Sequence, residues 1–211
     1  MLFNSYEFIL LFLPVALAGF FFFRAQFGAN GGISWLVVAS LFFYGWWNPV
    51  YLVLIVSSML INFAIGRSMA RIGGAKSDYR RSRLIFGIIL NLSLLGYFKY
   101  AMFLVESVGF VSGRDYSIDE IILPLAISFF TFQQIAYLID AYEGSASEYS
   151  FTHYALFVTF FPQLIAGPIV HHAEMMPQFM RGEALRPRYR NFAIGGTIFA
   201  IGLFKKTVLA D

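Results

Sequence analysis

Ile-Ile-Leu-Pro-Leu-Ala-Ile-Ser-Phe-Phe-Thr-Phe-Gln-Gln-Ile-Ala-Tyr-Leu-Ile-Asp, residues 121–140, and Phe-Val-Thr-Phe-Phe-Pro-Gln-Leu-Ile-Ala-Gly-Pro-Ile-Val-His-His, residues 157–172, decide the reading of this chain. Both runs are apolar, yet Ser128, Thr131, Gln133, Gln134, Thr159 and Gln163 lie inside them. The second is interrupted by Pro162 and by Gly167-Pro168 before it reaches His171 and His172. Lipid offers polar groups no partner, so these segments must face protein or a wet cavity. The expected architecture is a bundle arranged around a polar, broken centre.

The remaining sequence supplies the bundle. Of 211 residues, 59% are hydrophobic and 13% charged, and the mean hydropathy is +0.69; soluble domains carry about 25% charged residues. Apolar runs near the roughly 20 residues that cross a bilayer recur along the chain, which excludes a soluble domain on one anchor. The fold class is therefore all-α: a polytopic membrane helical bundle, residues 1–211 forming a single integral domain. Three histidines and no cysteine leave no thiolate metal site. The pI of about 9.2 reflects loop arginines and lysines rather than a nucleic-acid surface.

The first span covers residues 8–23, contains Pro14 and stops at Arg24, before a short loop at 28–32. With Asn4 and Glu7 ahead of it and no basic leader, it reads as a retained span rather than a signal peptide. Residues 33–65 are too long for one crossing and divide at Trp46-Trp47-Asn48-Pro49. Arg67, Arg71, Lys76, Arg80, Arg81 and Arg83 face a single Asp78 in the next loop, which assigns it to the cytoplasm and the N-terminus to the outside. Residues 84–105 lead out again, and 121–139 return. If 151–170 crossed completely, Arg181, Arg186, Arg188 and Arg190 would lie outside, so that segment is expected to be re-entrant or steeply tilted. The last apolar run, 192–204, is short for a full span.

Each candidate for chemistry has a plainer counterpart. An imidazole at His171 or His172 can act as a general base, but no second catalytic group is spaced to join it, and hydrogen bonding to backbone or headgroups is the stronger reading. His171, His172 and Glu174 lack the spacing of a zinc site. Gln133, Gln134 and Gln163 can line a substrate passage; as interhelical hydrogen bonds each contributes about 1 kcal/mol or less. Lys99 can pair with an anionic donor or polymer, or extend to the surface. No nucleophile elbow, phosphate-binding loop or dinucleotide fingerprint is present.

Several blocks carry a resemblance: Phe-Asn-Ser-Tyr-Glu-Phe-Ile-Leu-Leu-Phe-Leu-Pro at 3–14, Ser-Leu-Phe-Phe-Tyr-Gly-Trp-Trp at 40–47, residues 91–100, 123–140 and 160–168, and Phe-Lys-Lys-Thr-Val-Leu-Ala-Asp at 204–211. In this order the chain resembles the membrane-bound O-acyltransferase family, in particular its alginate O-acetyltransferase-like branch. The resemblance implies a thin membrane region with a central funnel in the bacterial inner membrane. It further implies transfer of an acyl group, usually acetyl, from a cytoplasmic donor such as acetyl-CoA to hydroxyls of an extracytoplasmic polysaccharide, with periplasmic or membrane partner proteins. No bound cofactor or metal is expected. The family's catalytic histidine, in a Trp-His-Gly-like context, is expected beyond Asp211, and the chain is read as the N-terminal portion of a longer enzyme, inactive alone. A transporter or flippase component, which should show an inverted repeat between halves, and a non-catalytic scaffold for partner acyltransferases are the alternatives.

Overall fold

The computed structural model describes residues 2–46, 48–70, 78–112, 122–144, 150–166, 175, 178–180 and 187–210, which contain helices and no strand. A π-helical stretch, Glu7–Phe12, leads into α1, Leu13–Gly45. Pro14 has no N–H to continue an α-helical ladder, and just before it the helix widens, with the Leu13 N–H bonded to the Phe8 carbonyl. The other helices are α2 (Val50–Ala70), α3 (Asp78–Ser112), α4 (Ile127–Glu143), α5 (Phe151–Thr159), α6 (Phe161–Ala166) and α7 (Tyr189–Phe204), which continues as π-helix through Lys205–Ala210.

Four helical stretches, Glu7–Gly45, Val50–Ala70, Asp78–Ser112 and Tyr189–Leu209, are long and apolar enough to cross a membrane. The chain is thus a multi-pass membrane protein. The first stretch does not run straight. Gly28 has φ 71° and ψ −161°, a conformation costly for any residue with a Cβ, and there the helix turns back on itself. Trp35 Nε1 donates to the Ala16 carbonyl at 3.0 Å. The Phe12 ring stacks on Phe42, centroids 6.2 Å apart, and Trp35 stacks on Phe23. The two arms are therefore an antiparallel pair, and the loop expected over 28–32 is one glycine, because residue 29 already continues in helix. Arg24 does not end the span: it is buried, with Nη1 2.6 Å from the Phe179 carbonyl.

The division at Trp46 is as the sequence predicts, whereas the helices overrun their expected ends. Arg67 closes α2, and Arg80, Arg81 and Arg83 lie in the first turns of α3. Trp47, Arg71, Lys76 and the acidic segment from Asp115 to Glu120 lie outside the described residues. The final run is longer than expected: with Tyr189 to Asn191 before it and the π-helical turn after it, it reaches spanning length.

α4 packs against α2 and α3. A Cβ on Gly66 would meet the Tyr137 ring at 2.6 Å, so only glycine lets α2 approach α4 this closely. The Arg80 Nη2 donates to the Ala141 and Tyr142 carbonyls at 3.1 and 2.6 Å, pinning the end of α4 to the start of α3.

The break after α5 lies at Phe160, whose ψ is 107°, rather than at Pro162. Its hydrogen bonds close almost completely. The Phe161 N–H donates to Ser40 Oγ at 3.2 Å, and the Gln163 and Leu164 N–H groups donate to the Phe160 carbonyl. Pro162 occupies the first turn of α6, where a missing N–H costs nothing. His153 lies 3.2 Å from Asn30, beside the Gly28 turn, and Phe179 meets Arg24 at that same end. Residues on either side of the broken element thus contact the α1 hairpin near its Gly28 turn. Gly167-Pro168 itself lies outside the described residues.

Candidate functional site

Three helices contribute carboxamides to one buried point. α4 places Gln134 toward α2 and α3 because Ile127, Thr131, Gln134, Leu138 and Ala141 repeat at three and four residues and all are buried. From α2 come Ser58 and Asn62, and from α3 comes Asn91.

The bonds have a direction. Asn91 Nδ2 donates to the Gly87 carbonyl at 2.7 Å and to Asn62 Oδ1 at 2.6 Å, which uses both of its hydrogens. Asn62 Nδ2 contacts the Ser58 carbonyl at 3.0 Å, Gln134 Oε1 at 2.5 Å and Asn91 Oδ1 at 3.3 Å. Ser58 Oγ donates to the same Gln134 oxygen at 2.9 Å. Because the two backbone carbonyls can only accept, they fix the amide orientations along the relay. Gln134 is left with its oxygen doubly engaged and its Nε2 buried without a partner.

Other buried polar atoms share that condition: Thr131 Oγ1, Gln133 Oε1, and the hydroxyls of Tyr44 and Tyr154. Leaving such a group unsatisfied costs about 1–3 kcal/mol. Ser58, Asn62 and Asn91 also line a crevice between α2 and α3 with a volume of about 320 Å³. The arrangement can hold a neutral hydrogen-bonding group; it has no charged side chain among its bonded members.

The sequence-predicted residues separate. Gln133 and Gln134 are both buried on α4, and Gln134 joins the relay. Gln163 lies on α6 and is half-buried. Lys99 is exposed on α3, its Nζ 5.7 Å from the Tyr100 ring centroid. His171, His172 and Glu174 lie outside the described residues. Sequence reasoning missed Ser58 and Asn62; the signal was available, since Asn62 stands in the interior of an apolar span and must find a partner there. Among the described residues no group of three His, Asp or Glu side chains could hold a metal.

The third histidine, His153, sits in the first turn of α5, where Ser150 Oγ accepts from its N–H at 3.3 Å. Burial pushes the imidazole pKa below its ordinary value, and Nε2 faces Asn30 Oδ1, an acceptor, so the Nε2–H tautomer donates.

Comparison with known proteins places this architecture. The whole chain is 44% identical over 239 residues to the peptidoglycan O-acetyltransferase of Helicobacter pylori, covering 45% of that protein. It is also 36% identical over 218 residues to the probable alginate O-acetylase AlgI of Pseudomonas aeruginosa, covering 40% of it. The protein of the same name from Azotobacter vinelandii is 34% identical over 218 residues, with all of this chain and 42% of that protein covered. The chain thus spans less than half the length of these relatives. No solved structure matches it. Residues 139–211 match the model of the membrane-bound O-acyltransferase family, and the chain as a whole is similar to the N-terminal part of O-acetylating relatives.

Proposed function

We propose that this chain is the N-terminal membrane part of an O-acetyltransferase that acts on a cell-wall glycan. It would receive acetyl from a cytoplasmic donor such as acetyl-CoA and pass it to hydroxyls outside the membrane. The observation that carries the reading is the 44% identity along the full chain to a peptidoglycan O-acetyltransferase. A buried polar centre inside a bundle with a broken helical element supports it, since acyl transfer across a membrane requires a polar passage there.

In this reading Gln133, with its oxygen unpartnered, and Gln163 line the passage, Gln134 fixes α4 against α2 and α3, and Lys99 meets anionic substrate at the mouth. The acid–base histidine belongs to sequence downstream of Asp211. His171 and His172 carry no catalytic role in this reading. Arg24, Arg80 and Arg188 gather at the end of the bundle that holds the Gly28 turn, which supports a cytoplasmic location for that end and an extracytoplasmic N-terminus in the inner membrane. Periplasmic partners would complete transfer.

The test is deletion of the complete gene followed by measurement of base-released acetate from purified peptidoglycan. Acetate should fall, return on complementation, and return only partly with Gln133→Leu. Unchanged acetate in the deletion strain would refute the proposal.

A further inference from the structure

The crevice of about 320 Å³ between α2 and α3 is lined with polar side chains in the middle of a span. Ser58, Asn62 and Asn91 form its buried inner wall, and Ser57 and Ser93 stand exposed at its rim. Polar groups at membrane depth face protein or a wet cavity, not hydrocarbon.

The direction of the bonds decides what chemistry the crevice accepts. Asn91 spends both amide hydrogens inside the protein, on the Gly87 carbonyl and on Asn62 Oδ1. Asn62 Nδ2 is turned to the Ser58 carbonyl and to Gln134 Oε1. Ser58 donates to that same Gln134 oxygen, and Ser57 donates to the Val53 carbonyl at 2.6 Å. With these hydrogens committed, the four side chains have only oxygen lone pairs left for the crevice. The wall therefore takes a hydrogen-bond donor. Phospholipid supplies none at this depth, because acyl chains carry no polar hydrogen and the ester oxygens at their heads only accept. A membrane helix supplies one readily, as a hydroxyl, a carboxamide or an indole N–H.

The chain spans 45% and 40% of the length of the two relatives named first above. In a protein of that length, more than half of the polypeptide is tethered beside the crevice, and tethering gives it a far higher effective concentration than any separate partner. We infer that the α2–α3 crevice is the interface for a membrane helix from the part of the protein downstream of Asp211, which sets a hydrogen-bond donor against Asn62 and Asn91. The inference rests on the reading of this chain as the N-terminal part of a longer enzyme. It makes the carboxamide relay a joint between the two parts, running from Gln134 on α4 through Asn62 and Asn91 to the incoming donor.

Photocrosslinking in the complete protein, in its native membrane, tests the interface. With Ser57 or Ser93 replaced one at a time by p-benzoylphenylalanine, irradiation should join that position to a peptide downstream of residue 211. Adducts to phospholipid, to a second copy, to another protein or only to residues 1–211 overturn the interface, as does the lack of any adduct. The captured peptide should carry a hydroxyl, carboxamide or indole within one helical turn of the attachment point; an aliphatic turn refutes the donor. A smaller change gives a second arm: a nitroxide on Ser93→Cys should gain oxygen accessibility severalfold when the protein is unfolded in detergent, and unchanged accessibility counts against the interface. A coding sequence that ends at Asp211 would refute the reading on which the inference rests. Lipid adducts in a longer protein refute the interface and leave that reading standing.

Discussion

Asn62 and Asn91 face each other as a reciprocal carboxamide pair, Asn91 Nδ2 donating to Asn62 Oδ1 at 2.6 Å and Asn62 Nδ2 approaching Asn91 Oδ1 at 3.3 Å. The pair ties α2 to α3 with both side chains buried. Asn62→Leu should destabilise the protein by about 1–3 kcal/mol, because it strips Asn91 of its partner on α2 and leaves the Gln134 oxygen with Ser58 alone. Asn62→Leu with Asn91→Leu should cost less than the sum of the single changes, with a coupling of roughly 0.6–1.7 kcal/mol. Unfolding in mixed micelles measures all three; strict additivity would show that the two residues do not interact.

Gly66→Ala should be more damaging than an ordinary helix substitution, although alanine is the better helix former. The new methyl meets Tyr137 ring atoms at 2.6–2.8 Å, and overpacking of this kind costs about 1–3 kcal/mol. Tyr137→Leu should recover part of that loss, and thermal melting of the double variant checks it. Equal melting temperatures for Gly66→Ala and the unaltered protein would mean α2 and α4 are not in close contact.

Ser40→Ala removes the acceptor of the Phe161 N–H at the break between α5 and α6. A loss of about 1–3 kcal/mol is expected. Hydrogen exchange in a peptide covering 156–166 should accelerate while α2 stays protected.

His153 gives a pH dependence with a definite sign. Burial lowers its folded-state pKa below the ordinary 6.5, so the unfolded chain takes up the proton first. The contribution is complete above pH 6.5 and declines as pH falls through that value toward the folded pKa. His153→Gln should flatten the melting-temperature profile between about pH 7.5 and 5 relative to the unaltered protein. Parallel profiles would remove His153 from the account.

Much of the fold was legible because membrane sequences declare their spans by length and their turns by residue type. Trp46 and Pro49 marked one turn, and the arginines around α2 and α3 marked one end. The break was legible as a break but misplaced: Pro162 drew attention, yet proline is tolerated in a first turn, and the backbone departs from helix at Phe160. Arg24 misled for a similar reason. A charge at the end of an apolar run normally signals water, whereas here the side chain turns into the bundle and donates to the Phe179 carbonyl, 155 residues away. Of the polar centre, Gln134 and Asn62 each stand as polar intruders in apolar runs, but that they meet each other and Ser58 is set by how α2 rotates against α4, which no local pattern reports.

Gly28 carries a consequence for the molecule's handedness in the bilayer. Straight, the 39-residue stretch from Glu7 to Gly45 would measure about 58 Å, nearly twice the roughly 30 Å of hydrocarbon. Folded at one glycine, it becomes two crossings, and the chain re-emerges on the side it entered. Parity is therefore decided within the first 30 residues. A side chain at position 28 that straightened the pair would do more than strain a turn; it would remove one crossing and invert the sidedness of every later loop, the arginine-rich one included.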